Sequence, residues 1–139
     1  MHPFHPLLLL LTLLAACGAR GSGIASIADA RDAVIGTWRA HEVCRDPKDP
    51  RFGQVIRRLG YEFQAGGTVR LSIKDFGAKA TRRSDHPFEV FEERRPDGTF
   101  ILAGVQIVGC DAPSRLTVVS RKQMLGARGL ELWRGPVLD

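Results

Sequence analysis

The sequence predicts an all-β fold, a small antiparallel up-and-down barrel of about seven or eight strands that follows a short N-terminal helix. Three observations lead to this class. The chain has 139 residues, which is enough for one domain. Beyond residue 36 its apolar residues recur with a period of two. Turn signals built from Gly, Pro and Asp separate these segments at short intervals, as in a barrel or a small sandwich.

Composition places the chain among globular proteins. Charged residues make up 25% and hydrophobic residues 44%, and the formal net charge is +5. Three cysteines are too few for a disulfide-dense miniprotein. The length excludes a transporter, a large barrel enzyme and a multidomain assembly.

The first sixteen residues (1–16) have the pattern of an export signal. The apolar run Leu7–Leu14 is shorter than the roughly 20 residues that cross a bilayer. The Leu-Ala-Ala-Cys sequence that ends at Cys17 resembles the bacterial lipobox, which implies a lipoprotein signal peptide and acylation of Cys17, with palmitate among the added chains. Gly18 resembles the residue that sorts such lipoproteins to the outer membrane, with the domain facing the periplasm. The alternative is a plain secretory signal.

Residues 17–23 are small and suit a flexible tether, which leaves 24–139 as the folded domain. Export to an oxidising compartment predicts a disulfide between Cys44 and Cys110. Its 67-residue loop would stabilise the fold by about 4 kcal/mol. Two free or buried thiols are the alternative.

Helical spacing of apolar residues predicts a helix over about 25–33 that ends near Gly36. The clearest element is a hairpin around Ala65-Gly66-Gly67. A three-residue loop, with Gly67 left-handed, puts every apolar residue of both strands on one face. The cross-strand pairs on that face are then Phe63–Val69, Tyr61–Leu71 and Leu59–Ile73.

A second turn is predicted at Arg95–Thr99, where Pro, Asp and Gly stand in turn order. The segment 100–108 that follows is apolar on both faces, so its register stays open. Breaks between the other apolar segments predict further strands and two exposed loops. The strands lie at about 37–44, 115–121 and 129–134, and the loops at 45–54 and 76–87.

Gly36-Thr37-Trp38, which opens the first strand after the helix, resembles the start of a lipocalin-like barrel. Residues 61–71 resemble that group's second and third strands, and Leu130–Arg134 its closing strand. The resemblance implies that Arg134 or Arg121 lies over the Trp38 ring, with Gly36, Trp38 and Arg134 in structural roles. It also implies a barrel interior that is filled or holds one small apolar ligand, with the lining residues Trp38, Tyr61, Phe63, Leu71 and Leu102.

No pattern for catalysis, a metal or a cofactor emerges, so we expect a protein that is not an enzyme. His41 and Cys44 are three apart in a predicted strand and face opposite sides, which does not suit zinc. Ser84-Asp85-His86 has the residue types of a triad, but adjacency in sequence is not triad geometry. We interpret this segment as a polar loop.

Two hypotheses for function follow. In the first, a lipid-anchored barrel binds a small apolar or amphipathic ligand. In the second, a solid barrel inhibits an envelope enzyme or assists an envelope assembly through its exposed loops. Arginine doublets such as Arg57-Arg58 and Arg82-Arg83 would meet anionic lipid head groups or acidic polymers rather than nucleic acid. A scattered solvated surface is the alternative for these charges.

Overall fold

The computed structural model describes residues 23–137; the predicted signal peptide, Cys17 and most of the tether lie outside the described residues. In this part of the chain one helix, α1 (Ile27–Val34), precedes eight strands. The strands are β1 (Gly36–Val43), β2 (Val55–Phe63), β3 (Thr68–Asp75), β4 (Arg82–Arg94), β5 (Phe100–Ile107), β6 (Arg115–Val118), β7 (Gln123–Leu125) and β8 (Glu131–Arg134).

The eight strands form one closed antiparallel barrel. Each strand pairs with the next along the chain, and β8 returns to pair with β1. The all-β class and the up-and-down barrel predicted from the sequence are confirmed. β1 and β8 share two residue pairs, Trp38–Arg134 and Arg39–Trp133, and β6 and β7 also share two. The ladders that join the last three strands are therefore the shortest of the barrel.

The β2–β3 hairpin has the predicted register. Phe63 pairs with Val69 and Tyr61 with Leu71, and Gly67 has a φ of 90°. A register shifted by one residue would turn the apolar face outward, which explains why the sequence alone fixes this pairing.

Other boundaries differ from the prediction. α1 begins at Ile27, after Ser26 caps its first turn by accepting a hydrogen bond from the amide of Asp29 at 3.1 Å. The predicted loop at 76–87 is wrong in its second half, because residues 82–87 belong to β4 and pair with β3. These residues are polar on both faces, so they show no alternation that would identify a strand.

The two ends of the barrel differ. We call the end that α1 covers the closed end; it also carries the turns at 64–67, 95–99 and 119–122. We call the opposite end the open end; it carries the loops at 44–54, 76–81, 108–114 and 126–130.

Large side chains fill the barrel interior. An eight-stranded barrel is just wide enough for its side chains to fill. The Tyr61 and Phe63 rings stack with centroids 6.1 Å apart, and Phe88 meets Phe63 edge-on at 5.0 Å. The largest fully buried side chains are Trp38, Leu59, Tyr61, Phe63, Leu71, Ile107, Leu116, Met124 and Leu132.

Candidate binding site at the open end

The side chains predicted to line a ligand cavity lie mostly in the packed interior. Trp38, Tyr61, Phe63 and Leu71 are at most 1% exposed, and none of them borders either cavity described below. The placement of Leu102 inside the barrel is wrong. It pairs with Glu93 on the outer face of the sheet, an outcome that a segment apolar on both faces could not reveal.

An open cleft of about 1190 Å³ lies at the open end. We call it the seam cleft, because it lies where β1 and β8 separate. Its walls are the residues 39–46, 111–115 and 127–131, with Trp133 and the start of β2 completing the lining. Charged and apolar side chains are mixed in this lining, in contrast to the apolar interior.

Backbone groups of both strands face this cleft. In an antiparallel ladder, successive residues point their N–H and C=O groups to opposite neighbours. Thr37 accepts a bond from Gly135 at 2.9 Å, so the odd residues of β1 face β8. His41 would pair with Glu131 if the ladder continued, but pairing ends at Arg39. The backbone groups of His41 and Glu131 therefore point into the seam cleft without a strand partner.

Charged side chains of both signs line the seam cleft, six arginines and five acidic residues. Among the described residues, Arg39, Arg45 and Arg128 have no acidic partner within 4 Å. The Arg45 guanidinium extends toward the β7–β8 turn, where a Cβ at Gly129 would lie 3.1 Å from it. Arg128 has a φ of 59°, a left-handed conformation that is uncommon for a residue with a side chain.

Two ion pairs hold the walls of the seam cleft. Arg57 donates two hydrogen bonds of 2.7 Å to Glu42 from the neighbouring strand, and both side chains are largely buried. In the 44–54 loop, Arg51 donates to Asp49, which lowers the pKa of that carboxyl from 3.8 to about 2. Backbone hydrogen bonds hold the loop, such as Cys44 to Gln54 and Gly53 to Cys44, and the Asp49–Arg51 pair adds a contact that needs an ionised carboxylate.

Tyr61 separates the interior from the open end. Its hydroxyl donates to the carbonyl of Pro113 at 3.1 Å, and burial raises its pKa well above the ordinary value. The phenol therefore stays protonated and holds the 108–114 loop over the packed core.

The two cysteines predicted to form a disulfide are free thiols in the structure. Cys44 is buried at the end of β1. The Cys110 thiol donates to the carbonyl of Ala112 at 3.2 Å, and partial burial raises its pKa. Both lie at the open end, Cys44 in the 44–54 loop directly after β1 and Cys110 in the 108–114 loop.

A second, smaller cavity lies on the outer wall near the open end, with a volume of about 360 Å³. We call it the basic groove. His41, Arg58 and Lys74 lie directly opposite one another on β1, β2 and β3. No acidic side chain of the described residues lies within 4 Å of these three. Phe76, which is 79% exposed, borders the same groove.

The closed end contains the structural residues implied by the lipocalin resemblance. The Arg134 guanidinium carbon lies 4.2 Å from the centroid of the Trp38 ring. Arg134 also donates to the carbonyls of Ala33 and Ile35, while the Trp38 indole donates to Val34 at 2.9 Å. These bonds satisfy the last carbonyls of α1.

Gly36 makes this contact possible. A Cβ at that position would lie 2.5 Å from Arg134 Nη1, and the φ of Gly36 is 124°, which disfavours a side chain.

Catalytic and metal chemistry find little support in the described part of the chain. Ser84 Oγ and His86 Nε2 are 2.7 Å apart on one face of β4. Asp85 points to the other face and pairs with Arg70 at 3.1 Å, so it does not orient the imidazole. Residues 23–137 contain no group of three or more potential metal ligands, and none of their helices has the length and hydropathy of a membrane span.

Comparison with known proteins gives no relative: no family model, no curated protein and no solved structure matches this chain.

Sequence reasoning singled out the Arg57-Arg58 doublet but did not join it to His41 and Phe76 in one groove, and it missed the side chains of the seam cleft. For the groove a signal existed. The hairpin register that the sequence predicts already places Arg58 opposite Lys74 with no acid between them. For Arg45 and Arg128 no signal existed, because loops far apart in sequence bring them to one cleft.

Proposed function

We propose that this protein is a lipid-anchored, non-enzymatic protein of the bacterial cell envelope, with a solid lipocalin-like barrel that binds a partner protein at the seam cleft. The supporting observation is the contrast between the filled interior and the large cleft of mixed charged and apolar lining at the open end. A cleft of about 1190 Å³ exceeds the roughly 300–1,000 Å³ typical of small-molecule pockets. Its size favours a macromolecular partner, such as an envelope enzyme that is inhibited or an assembly that is assisted.

Site-specific photo-crosslinking in the native envelope tests this function. A photoreactive phenylalanine analogue replaces Arg128 in the seam cleft. In the control it replaces Glu89, an exposed residue on the outer face of β4. We expect a discrete adduct of defined mass at position 128 and none at position 89. Adducts of equal yield at both positions, or none at position 128, contradict a partner at the seam cleft.

The anchor and the compartment are part of the same proposal. Cys17 carries the lipid, the tether connects it to the barrel, and the domain faces the periplasm from the outer membrane. Labelled palmitate should enter the wild-type chain and not the Cys17→Ser variant in cells that process lipoproteins. A wild-type chain that stays unlabelled would rule out the anchor.

A second candidate function is the binding of a small amphipathic ligand at the open end. The observation in its favour is the exposed Trp133, an apolar surface among the charged side chains of the seam cleft. Native mass spectrometry of the protein purified from its host separates the two functions. A bound small molecule supports this candidate, and a barrel of unaltered mass that crosslinks at position 128 supports the first.

A further inference from the structure

The geometry points to a second binding surface beside the seam cleft, with which it shares His41 and Arg57 in its lining. We propose that the basic groove docks on an anionic phospholipid bilayer, with His41, Arg58 and Lys74 at the phosphate head groups and Phe76 in the interfacial layer. This contact is separate from the lipid anchor, and Arg58, Lys74 and Phe76 belong to the basic groove and not to the seam cleft.

The first argument is the alignment of the three basic side chains. They occupy equivalent positions on adjacent strands, so their side chains leave the same face of the sheet side by side. Like charges placed directly opposite destabilise a pair of strands. An anionic group that lies between Arg58 and Lys74 removes this repulsion.

The second argument is that the other charges of the groove are already neutralised. Arg57 is bonded to Glu42, and Asp75 is paired with Arg82 at 3.1 Å. The groove therefore offers a surplus of positive charge, and no carboxylate of the described residues competes for it.

The third argument concerns Phe76, the first residue of the β3–β4 loop, which follows directly after β3 and lies near Lys74. Its ring is 79% exposed, the highest exposure of any large apolar side chain among the described residues. A second exposed ring, Phe52, is 57% exposed in the 44–54 loop of the same end. Exposed aromatic rings flanked by cations are typical of surfaces that lie in the membrane interface. The surplus positive charge and the exposed aromatic rings therefore both indicate an anionic bilayer as the occupant of the groove.

Vesicle binding tests this surface. The full chain with Cys17→Ser, which cannot be acylated, is sedimented with phosphatidylcholine vesicles that contain or lack phosphatidylglycerol. The apolar run at 7–14 carries no charge, so it contributes equally to both vesicles and cancels in their ratio. We expect preferential binding to the phosphatidylglycerol vesicles, and we expect added salt to weaken this preference.

Charge-removal variants locate the contact. Arg58→Gln with Lys74→Gln should weaken binding to the anionic vesicles about 25-fold, since each cation near such a surface contributes about 1 kcal/mol, or about fivefold. The matched control is Arg31→Gln with Arg95→Gln. It removes the same charge from exposed residues of the closed end and should change binding less than about twofold if only local charge matters. Equal losses in the two double variants would overturn the proposal.

A second pair of variants tests the aromatic contact. Phe76→Ser should weaken binding to the anionic vesicles about tenfold, which is part of what full burial of a Phe contributes. Ile101→Ser removes a side chain that is 49% exposed in β5, next to a turn of the closed end, and should have no effect. Equal effects of the two substitutions would exclude insertion at Phe76. Because all of these positions are on the surface, melting temperatures close to that of the parent chain will show that the variants fold.

Discussion

Replacement of Arg134 by alanine should destabilise the barrel more than the same replacement of Arg115. The guanidinium lies 4.2 Å from the Trp38 ring centroid and donates to three backbone carbonyls, two of which end α1. The alanine variant would leave the carbonyls of Ala33 and Ile35 without these partners and would uncover the ring. The expected loss of stability therefore combines the lost cation–π contact with the lost hydrogen bonds to backbone carbonyls.

The magnitude follows from those two parts. A cation over an aromatic ring contributes about 1 kcal/mol when it is partly exposed. Three charge-assisted hydrogen bonds that water can partly replace contribute about 2 kcal/mol together. The sum is about 3 kcal/mol, and a domain of this size loses about 4 °C in melting temperature for each kcal/mol. We therefore expect the melting temperature to fall by about 12 °C.

Circular dichroism melts measure this fall, and Arg115→Ala is the matched control. Arg115 lies 4.1 Å from the Phe91 ring centroid, almost the same geometry, but it donates to side chains and not to backbone carbonyls. The control should lose about 1 kcal/mol or less. If Arg134→Ala is no more destabilising than the control, the carbonyl bonds contribute nothing and the reasoning about α1 is wrong.

Three further predictions follow from the same structure. Gly104→Ala should destabilise the fold by about 1–3 kcal/mol, because its Cβ would lie 2.6 Å from the Leu116 carbonyl oxygen. Gly66→Ala is the control: its Cβ would meet nothing within 4 Å, so the same melts should show no loss of stability. The Asp49 carboxyl should titrate near pH 2 by NMR, and Arg51→Gln should return its pKa toward 3.8. Because the folded pKa is the lower one, the contribution of Asp49 to stability is complete above pH 3.8 and is lost as the pH falls through about 2; an unchanged titration in the variant would contradict this pairing. Cys44 and Cys110 are free thiols in the structure, but we expect them to form a disulfide in the exported protein. Mass spectrometry should show the loss of two hydrogens, and the melting temperature should fall on reduction. If both thiols still react with maleimide after unfolding, the predicted disulfide is refuted.

The sequence predicts the position and register of a strand well where one face is buried and the other is exposed to solvent. The β2–β3 hairpin alternates cleanly, so its register follows from the positions of Phe63, Tyr61 and Leu59. Phe100–Val108 is apolar on both faces, and there the sequence misassigned Leu102. The first half of β4 is polar on both faces, a pattern that predicts a loop, but it pairs with β3. In both failures the side-chain pattern lacked the contrast that reveals a face, and only pairing with a neighbouring strand decides the outcome.

The functional surfaces were harder to predict for a related reason. The seam cleft exists because a backbone ladder ends after two pairs, and the length of a ladder between the first and last strands is a long-range property. Arg45 and Arg128 come together only after the barrel has closed around the core. The basic groove is different, because it is made of neighbouring strands whose register is local. The uncompensated pair of Arg58 and Lys74 therefore follows from the sequence without a structure, and the vesicle experiment tests whether it has the membrane contact that we propose.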